Sequence, residues 1–217
     1  MKTRTKAVVI GAGCVLIAAG SVLGTLAFLT DSDTAVNTFT VGKVAIELNE
    51  TDVDGDGKTL ENEYHLIPGT EYVKDPTVTV KKDSEEAFVR MILTVYNYST
   101  VQDIIADTEN GLTDFTDFLG GMDGEKWKLQ GSTENSTDNT ISYEYRYYQP
   151  VTGVGAEKVL EPLFDTLIIP DTLDGDELQA LYDGGFQIVV EGHAIQTSGF
   201  ENNEAGAWEA FSEQTGK

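Results

Sequence analysis

Alternation of apolar and polar residues along the chain predicts most of its strands. In residues 87–96 one phase is wholly apolar, the pattern of a strand with one buried face. Similar patterns predict strands over residues 43–48, 77–81, 141–147 and 186–194. The more continuous apolar run at 159–169 contains Pro162 and predicts an edge or bent strand. Within 186–194, His193 falls on the outward phase, so we expect an ordinary exposed histidine.

Shorter segments have helical character. They cover residues 100–108, 112–119, 174–182 and 203–211, and two of them end at paired glycines. In the last one Trp208 lies on the apolar side, so we expect it to pack this helix onto the strands. A small acidic cluster before the third helix, Asp171, Asp174 and Asp176, suits a helix N-terminus because the helix dipole favours negative charge there.

The number and spacing of these elements predict an all-β fold. We expect an antiparallel, jelly-roll-like β-sandwich with short helical inserts and a C-terminal helix. Residues 119–140 are rich in Gly, Ser, Asn and Asp, and they predict a long exposed excursion around one short strand at 126–130. The expected organisation is a signal peptide (1–27), a mature N-terminal segment (28–40) and a β-sandwich domain (41–217).

The first thirty residues have the pattern of an export signal. Three basic residues within 1–6 precede an uncharged run, 7–29, and the small residues Thr25 and Ala27 indicate cleavage between Ala27 and Phe28. The length of the run also suits a membrane span, so an uncleaved anchor is the alternative. We expect contact with a membrane only through this segment if it is left uncleaved.

Composition narrows the classes of partner. Of 217 residues, 37 are acidic and 14 basic, and the net charge of −23 disfavours binding to nucleic acid. The single cysteine, Cys14, lies in the uncharged run, so no disulfide is expected in the domain. An exported domain without disulfides favours a Gram-positive origin.

The sequence predicts no catalytic residues. The two histidines, His65 and His193, are far apart in sequence, and the chain has no His-Glu-x-x-His, Gly-x-Ser-x-Gly or phosphate-binding glycine motif. We therefore expect a protein that is not an enzyme.

One motif predicts a cation site. Residues 52–63 fit the twelve-residue calcium loop, with acids at positions 1, 3, 5 and 12 and a glycine at position 6. The candidate ligands are Asp52, Asp54, Asp56, Lys58 through its carbonyl, and Glu63. The flanking segments look extended rather than helical, so a solvated acidic hairpin loop is the alternative.

Four segments resemble the TasA/camelysin family of exported Gram-positive proteins. They are the junction at 25–33, similar to a SipW-type signal peptide, the opening strand at 37–44, the segments 66–70 and 74–80, and 193–200 followed by the last helix. Their order and spacing carry the resemblance, which does not extend over 97–160.

The resemblance implies a secreted structural subunit of extracellular matrix or biofilm fibres. It also implies processing by a SipW-type signal peptidase and head-to-tail assembly with copies of itself, through β-augmentation by an N-terminal strand. The candidate donor is 28–39, in which the apolar positions are Phe28, Ala35, Val36 and Phe39. A disordered mature N-terminus is the alternative for this segment. For the whole protein the alternatives are a monomeric cell-surface binding module and, third, a secreted metallopeptidase.

Overall fold

A computed structural model describes residues 30–33, 44–60, 62–107 and 109–216. The predicted signal peptide, its cleavage site at Ala27 and Phe28, and the assembly positions Ala35, Val36 and Phe39 lie outside the described residues. Within the described part, no helix combines the length and the hydropathy that a membrane span requires.

The described chain is mostly β. Its strands are β1 (Thr30–Asp33), β2 (Ile46–Asn49), β3 (Glu71–Val73), β4 (Thr77–Val80), β5 (Ala87–Tyr96), β6 (Leu119–Gly120), β7 (Trp127–Asn135), β8 (Thr140–Tyr147), β9 (Lys158–Val159), β10 (Thr166–Ile168) and β11 (Gln187–Gln196). Its helices are α1 (Tyr98–Ala106), a 3₁₀ turn (Phe115–Phe118), α2 (Gly175–Asp183) and α3 (Glu204–Thr215).

The strands form three antiparallel sheets. A five-stranded sheet has the order β1-β11-β5-β8-β7, and two three-stranded sheets have the orders β3-β10-β6 and β2-β4-β9. One hydrophobic cluster draws buried residues from all three sheets, including Leu48, Val78, Met91 and Leu167. The all-β class is therefore confirmed at this level, and the packing is compatible with a sandwich.

Strand β5 is the centre of the five-stranded sheet and of the core. Its predicted apolar phase, from Ala87 to Val95, is wholly buried. On the neighbouring β11 the same inner face carries Gly192, where an added Cβ would lie 3.2 Å from Cγ2 of Val78 on β4. The missing side chain thus lets β11 approach β4 closely.

Two local predictions are wrong. The strand predicted at 126–130 is longer than expected: β7 has nine residues, pairs with β8 and has a register shift between Leu129 and Gly131, although its residues after Trp127 are exposed as predicted. The helix predicted over 112–119 is a single 3₁₀ turn, because Asp114 caps it and the chain is extended again at Leu119. The apolar run at 159–169 gives two short strands, β9 and β10, in different sheets.

The helices that flank the sheets follow their sequence signals. Asp174 caps α2 by accepting hydrogen bonds from the backbone N–H groups of Asp176 and Glu177, as the acidic cluster predicted. Asn203 caps α3 at Gly206, and Gly216 ends this helix in the left-handed conformation.

Candidate functional site

Strand β1 places part of the predicted donor segment on an edge of the five-stranded sheet. Its backbone is antiparallel to β11, with Thr30 opposite Ile195 and Asp33 opposite Gly192. The other side of β11 pairs along all ten residues with β5. In the described part of the chain, the outer edge of β11 is paired with a strand only at 192–195, so 187–191 leave room for a longer added strand.

The predicted calcium loop brings three of its candidate ligands together. Ligand atoms of Asp52, Asp54 and Asp56 all lie within 4.8 Å of one another. Lys58 forms an ion pair with Asp56 at 3.5 Å, which places a cation beside the cluster. Glu63 is exposed and enters this arrangement through its backbone, whose N–H donates to Asp54 Oδ2 at 3.0 Å.

Backbone hydrogen bonds orient these carboxylates. Asp52 accepts from the N–H groups of Gly55 and Gly57 at 2.7 and 2.9 Å. The N–H groups of Glu63 and then Asp56 hold the pKa of Asp54 below its ordinary value. Carboxylates that stay ionised suit a hard cation such as calcium. Calcium binding here stays a prediction.

A buried ion pair fixes the base of this loop. Nζ of Lys74 lies 2.8 Å from both carboxylate oxygens of Glu50, and both side chains are buried. Next to it, Asp75 accepts hydrogen bonds from the N–H and the hydroxyl of Thr51 at 2.6 and 2.7 Å. The acidic loop therefore leaves the sheets from an anchored point.

The structure corrects the expectation for His193, which is buried and only 1% exposed. Its side chain does point away from the main core, as the alternation predicted. Helix α3, however, covers that face. Its residues Trp208 and Phe211 form a second hydrophobic cluster there with Ile195 of β11. The expected packing of Trp208 is confirmed. Ile195, an apolar residue in the polar phase of β11, was the sequence signal for this covered face.

Arg90 is buried in the same place. Its Nε–H donates to Nδ1 of His193 at 3.2 Å, and its guanidinium lies 4.5 Å from the ring centre of Trp208. The imidazole of His193 lies 4.9 Å from the ring of Phe211 at a tilt of 30°. This cluster joins β5, β11 and α3 through one charged and three aromatic side chains.

The two histidines do not meet in one site. His65 is exposed in the segment before β3, whereas His193 is buried under α3. Among the residues described, the three aspartates of the 52–56 loop are the one group of acidic, histidine or cysteine side chains close enough to share a metal ion. The absence of enzyme activity stays a prediction.

No family profile, curated protein or solved structure matches this chain.

Proposed function

We propose that this protein is a secreted structural subunit of extracellular matrix or biofilm fibres on a Gram-positive cell surface. In this proposal the domain is a jelly-roll-like sandwich, and subunits join head to tail by donating the N-terminal strand, as the resemblance to the TasA/camelysin family implies. The observation that carries the proposal is the position of β1 at an edge of the five-stranded sheet.

Strand exchange fits the chain connection. Residues 34–45 link β1 to β2 and can span at most about 40 Å. That length allows β1 to leave its own β11 and pair with β11 of the next subunit. The backbone hydrogen bonds between subunits would then be the same as those that β1 makes within one subunit. Such a contact uses different surfaces on the two partners, and it produces an open fibre when the rotation between neighbouring subunits does not close a ring.

The charge of the chain sets the conditions for assembly. Removal of 1–27 takes away three of the 14 basic residues and none of the 37 acidic ones, so the net charge of −23 becomes −26, and like subunits repel one another at low ionic strength. Salt, mild acid or divalent cations reduce this repulsion, so each should promote polymerisation.

A cysteine pair in register tests strand donation directly. Asp31 lies opposite Ala194, and opposite residues in an antiparallel pair have Cα atoms about 4.5–5.5 Å apart, within disulfide range. The mature chain (28–217) has no cysteine of its own. We would assemble the variant Asp31→Cys/Ala194→Cys under reducing conditions, oxidise it, and combine electron microscopy with a non-reducing gel. Asp31→Cys alone is the control.

Strand donation predicts filaments whose subunits run as a covalent ladder on the gel, whereas the single-cysteine control can give no species larger than a dimer. If filaments form but the disulfides lie only within subunits, the protein is still a fibre subunit, but donation of β1 is ruled out. If neither form polymerises in salt, acid or calcium, the monomeric surface binding module replaces the fibre subunit. Zinc-dependent casein cleavage by the same sample would instead favour the metallopeptidase.

A further inference from the structure

The polarity of one buried hydrogen bond fixes the protonation state of His193. Arg90 is protonated at any ordinary pH, so its Nε–H can only donate. Nδ1 of His193 accepts this bond at 3.2 Å and therefore carries no proton. The imidazole proton sits on Nε2, which lies 3.5 Å from Oε2 of Glu191. The packed arrangement thus requires a neutral histidine.

Among the described residues, the charges around the imidazole do not remove this requirement. From β8, Glu144 lies 3.6 Å from Arg90 and 2.6 Å from Arg146, so its charge is shared between two arginines. From α3, Glu204 lies 3.9 Å from Arg146. Glu191 on β11 is partly exposed, which weakens its attraction for a second imidazole proton. The neighbouring β1 contributes Ser32 opposite His193 and Asp33 opposite Gly192 in backbone register.

A second proton on His193 would have to enter at Nδ1. There it would face the Nε–H of Arg90, so a hydrogen bond would become a contact between two donors and two positive charges. Arg90 lies against the rings of both Trp208 and Phe211, His193 lies against Phe211, and both groups are buried, so little water can screen their charges. Separation of α3 from the sheet relieves this conflict, because it exposes His193 to solvent.

We propose that His193 is an acid-sensitive latch that holds helix α3 on the outer face of the five-stranded sheet when it is neutral and releases it when protonated. The contacts that form the latch lie within one subunit, so the latch does not require fibre formation.

Proton linkage sets the size and window of the effect. A solvent-exposed imidazole titrates near pH 6.5. If the docked form binds no proton on Nδ1, docking is unaffected above this pH and weakens about tenfold for each unit below it. Between pH 7.5 and 5 the docking equilibrium should therefore fall about thirtyfold. Carboxylates, with ordinary values near 4, contribute mainly below this range.

Amide hydrogen exchange on the mature chain measures the opening of α3 even when it is rare. We expect the protection factors of the α3 amides to fall about thirtyfold from pH 7.5 to 5. At both pH values they should be lower than the protection factors of the β5 amides. In His193→Asn the amide oxygen can still accept from Arg90 but cannot be protonated, so protection should stay nearly constant. His65→Asn, at the exposed histidine, should behave as the wild type. Equal pH slopes in wild type and His193→Asn would overturn the latch.

A second measurement needs no variant. The chain has two histidines, so their imidazole NMR signals can be followed separately. We expect the docked His193 to keep the neutral shifts, with its proton on Nε2, and the exposed His65 is the comparison within the same chain. If His193 became protonated while α3 amides kept their protection, the latch would be wrong. The indole N–H of Trp127 donates to the carbonyl of Glu161, and Trp127 lies in the main core. Its NMR signal is therefore the reference for a part of the protein that the latch does not involve.

Discussion

Breaking the buried ion pair between Lys74 and Glu50 should destabilise the protein strongly. In Lys74→Met the carboxylate of Glu50 loses the ammonium group that contacts both of its oxygens at 2.8 Å. The remaining charge is buried, and an uncompensated buried charge costs about 3–5 kcal/mol. Glu50→Leu should cost a similar amount, because it leaves the ammonium of Lys74 buried alone.

The double variant separates charge burial from packing. Lys74→Met with Glu50→Leu removes both charges and keeps apolar volume, so it should be less destabilised than either single variant. Lys81→Met is the control, because Lys81 pairs with Glu47 at 2.6 Å and with Glu157 at 3.0 Å, and all three side chains are more than a third exposed. Loss of these surface pairs should cost at most about 1 kcal/mol each.

Urea unfolding of the wild type and the four variants at pH 7 gives the five free energies directly. If the double variant lost as much stability as the two single variants together, the pair would not be coupled and the argument from buried charge would fail. The same would follow if Lys74→Met and Lys81→Met lost equal amounts.

Two further predictions concern acidic groups. Calcium should raise the melting temperature of the mature chain, with a Kd of about 10⁻⁴ to 10⁻³ M. Asp54→Asn/Asp56→Asn should abolish the rise, and Asp103→Asn/Asp171→Asn, with the same charge change, should keep it; an equal rise in both would mean general screening. Hydrogen bonds from Thr113 lower the pKa of Asp117, so its ionised form stabilises the fold above about pH 4 and loses that effect as the pH falls. Asp117→Asn should therefore cost at most about 1 kcal/mol at pH 7, because the exposed side chain is screened by solvent, and almost nothing at pH 2 by denaturant unfolding; a loss that did not change with pH would refute this.

Periodicity predicted the strands that have one buried face, and it failed where both faces are alike. Strand β5 was predicted with its observed bounds because its apolar phase from Ala87 to Val95 faces the core. Strand β7 lies at the sheet edge, and of its residues only Trp127 is buried. Its bounds depend on pairing with β8 in a hairpin whose turn is 136–139, and the composition of β7 itself does not record that pairing.

The candidate sites divide in the same way. The grouping of Asp52, Asp54 and Asp56 follows from their spacing in a tight loop, so the sequence was sufficient to predict it. The cluster of Arg90 and His193 joins residues 103 positions apart and depends on α3 covering a polar face. Alternation shows which way a side chain points, but another element decides whether that face is exposed.

Acid should act on assembly through two sets of groups with separate pH windows. Carboxylates take up protons near pH 4 and reduce the repulsion between subunits, which favours stacking. His193 would act near pH 6.5, and its backbone is paired with β1 at Ser32, so release of α3 loosens the edge that exchanges. Assembly followed by light scattering should therefore accelerate in two steps as the pH falls, and His193→Asn should lose only the upper step. A single step near pH 4 in both the wild type and His193→Asn would show that His193 does not affect assembly. Strand donation would then still be decided by the cysteine experiment.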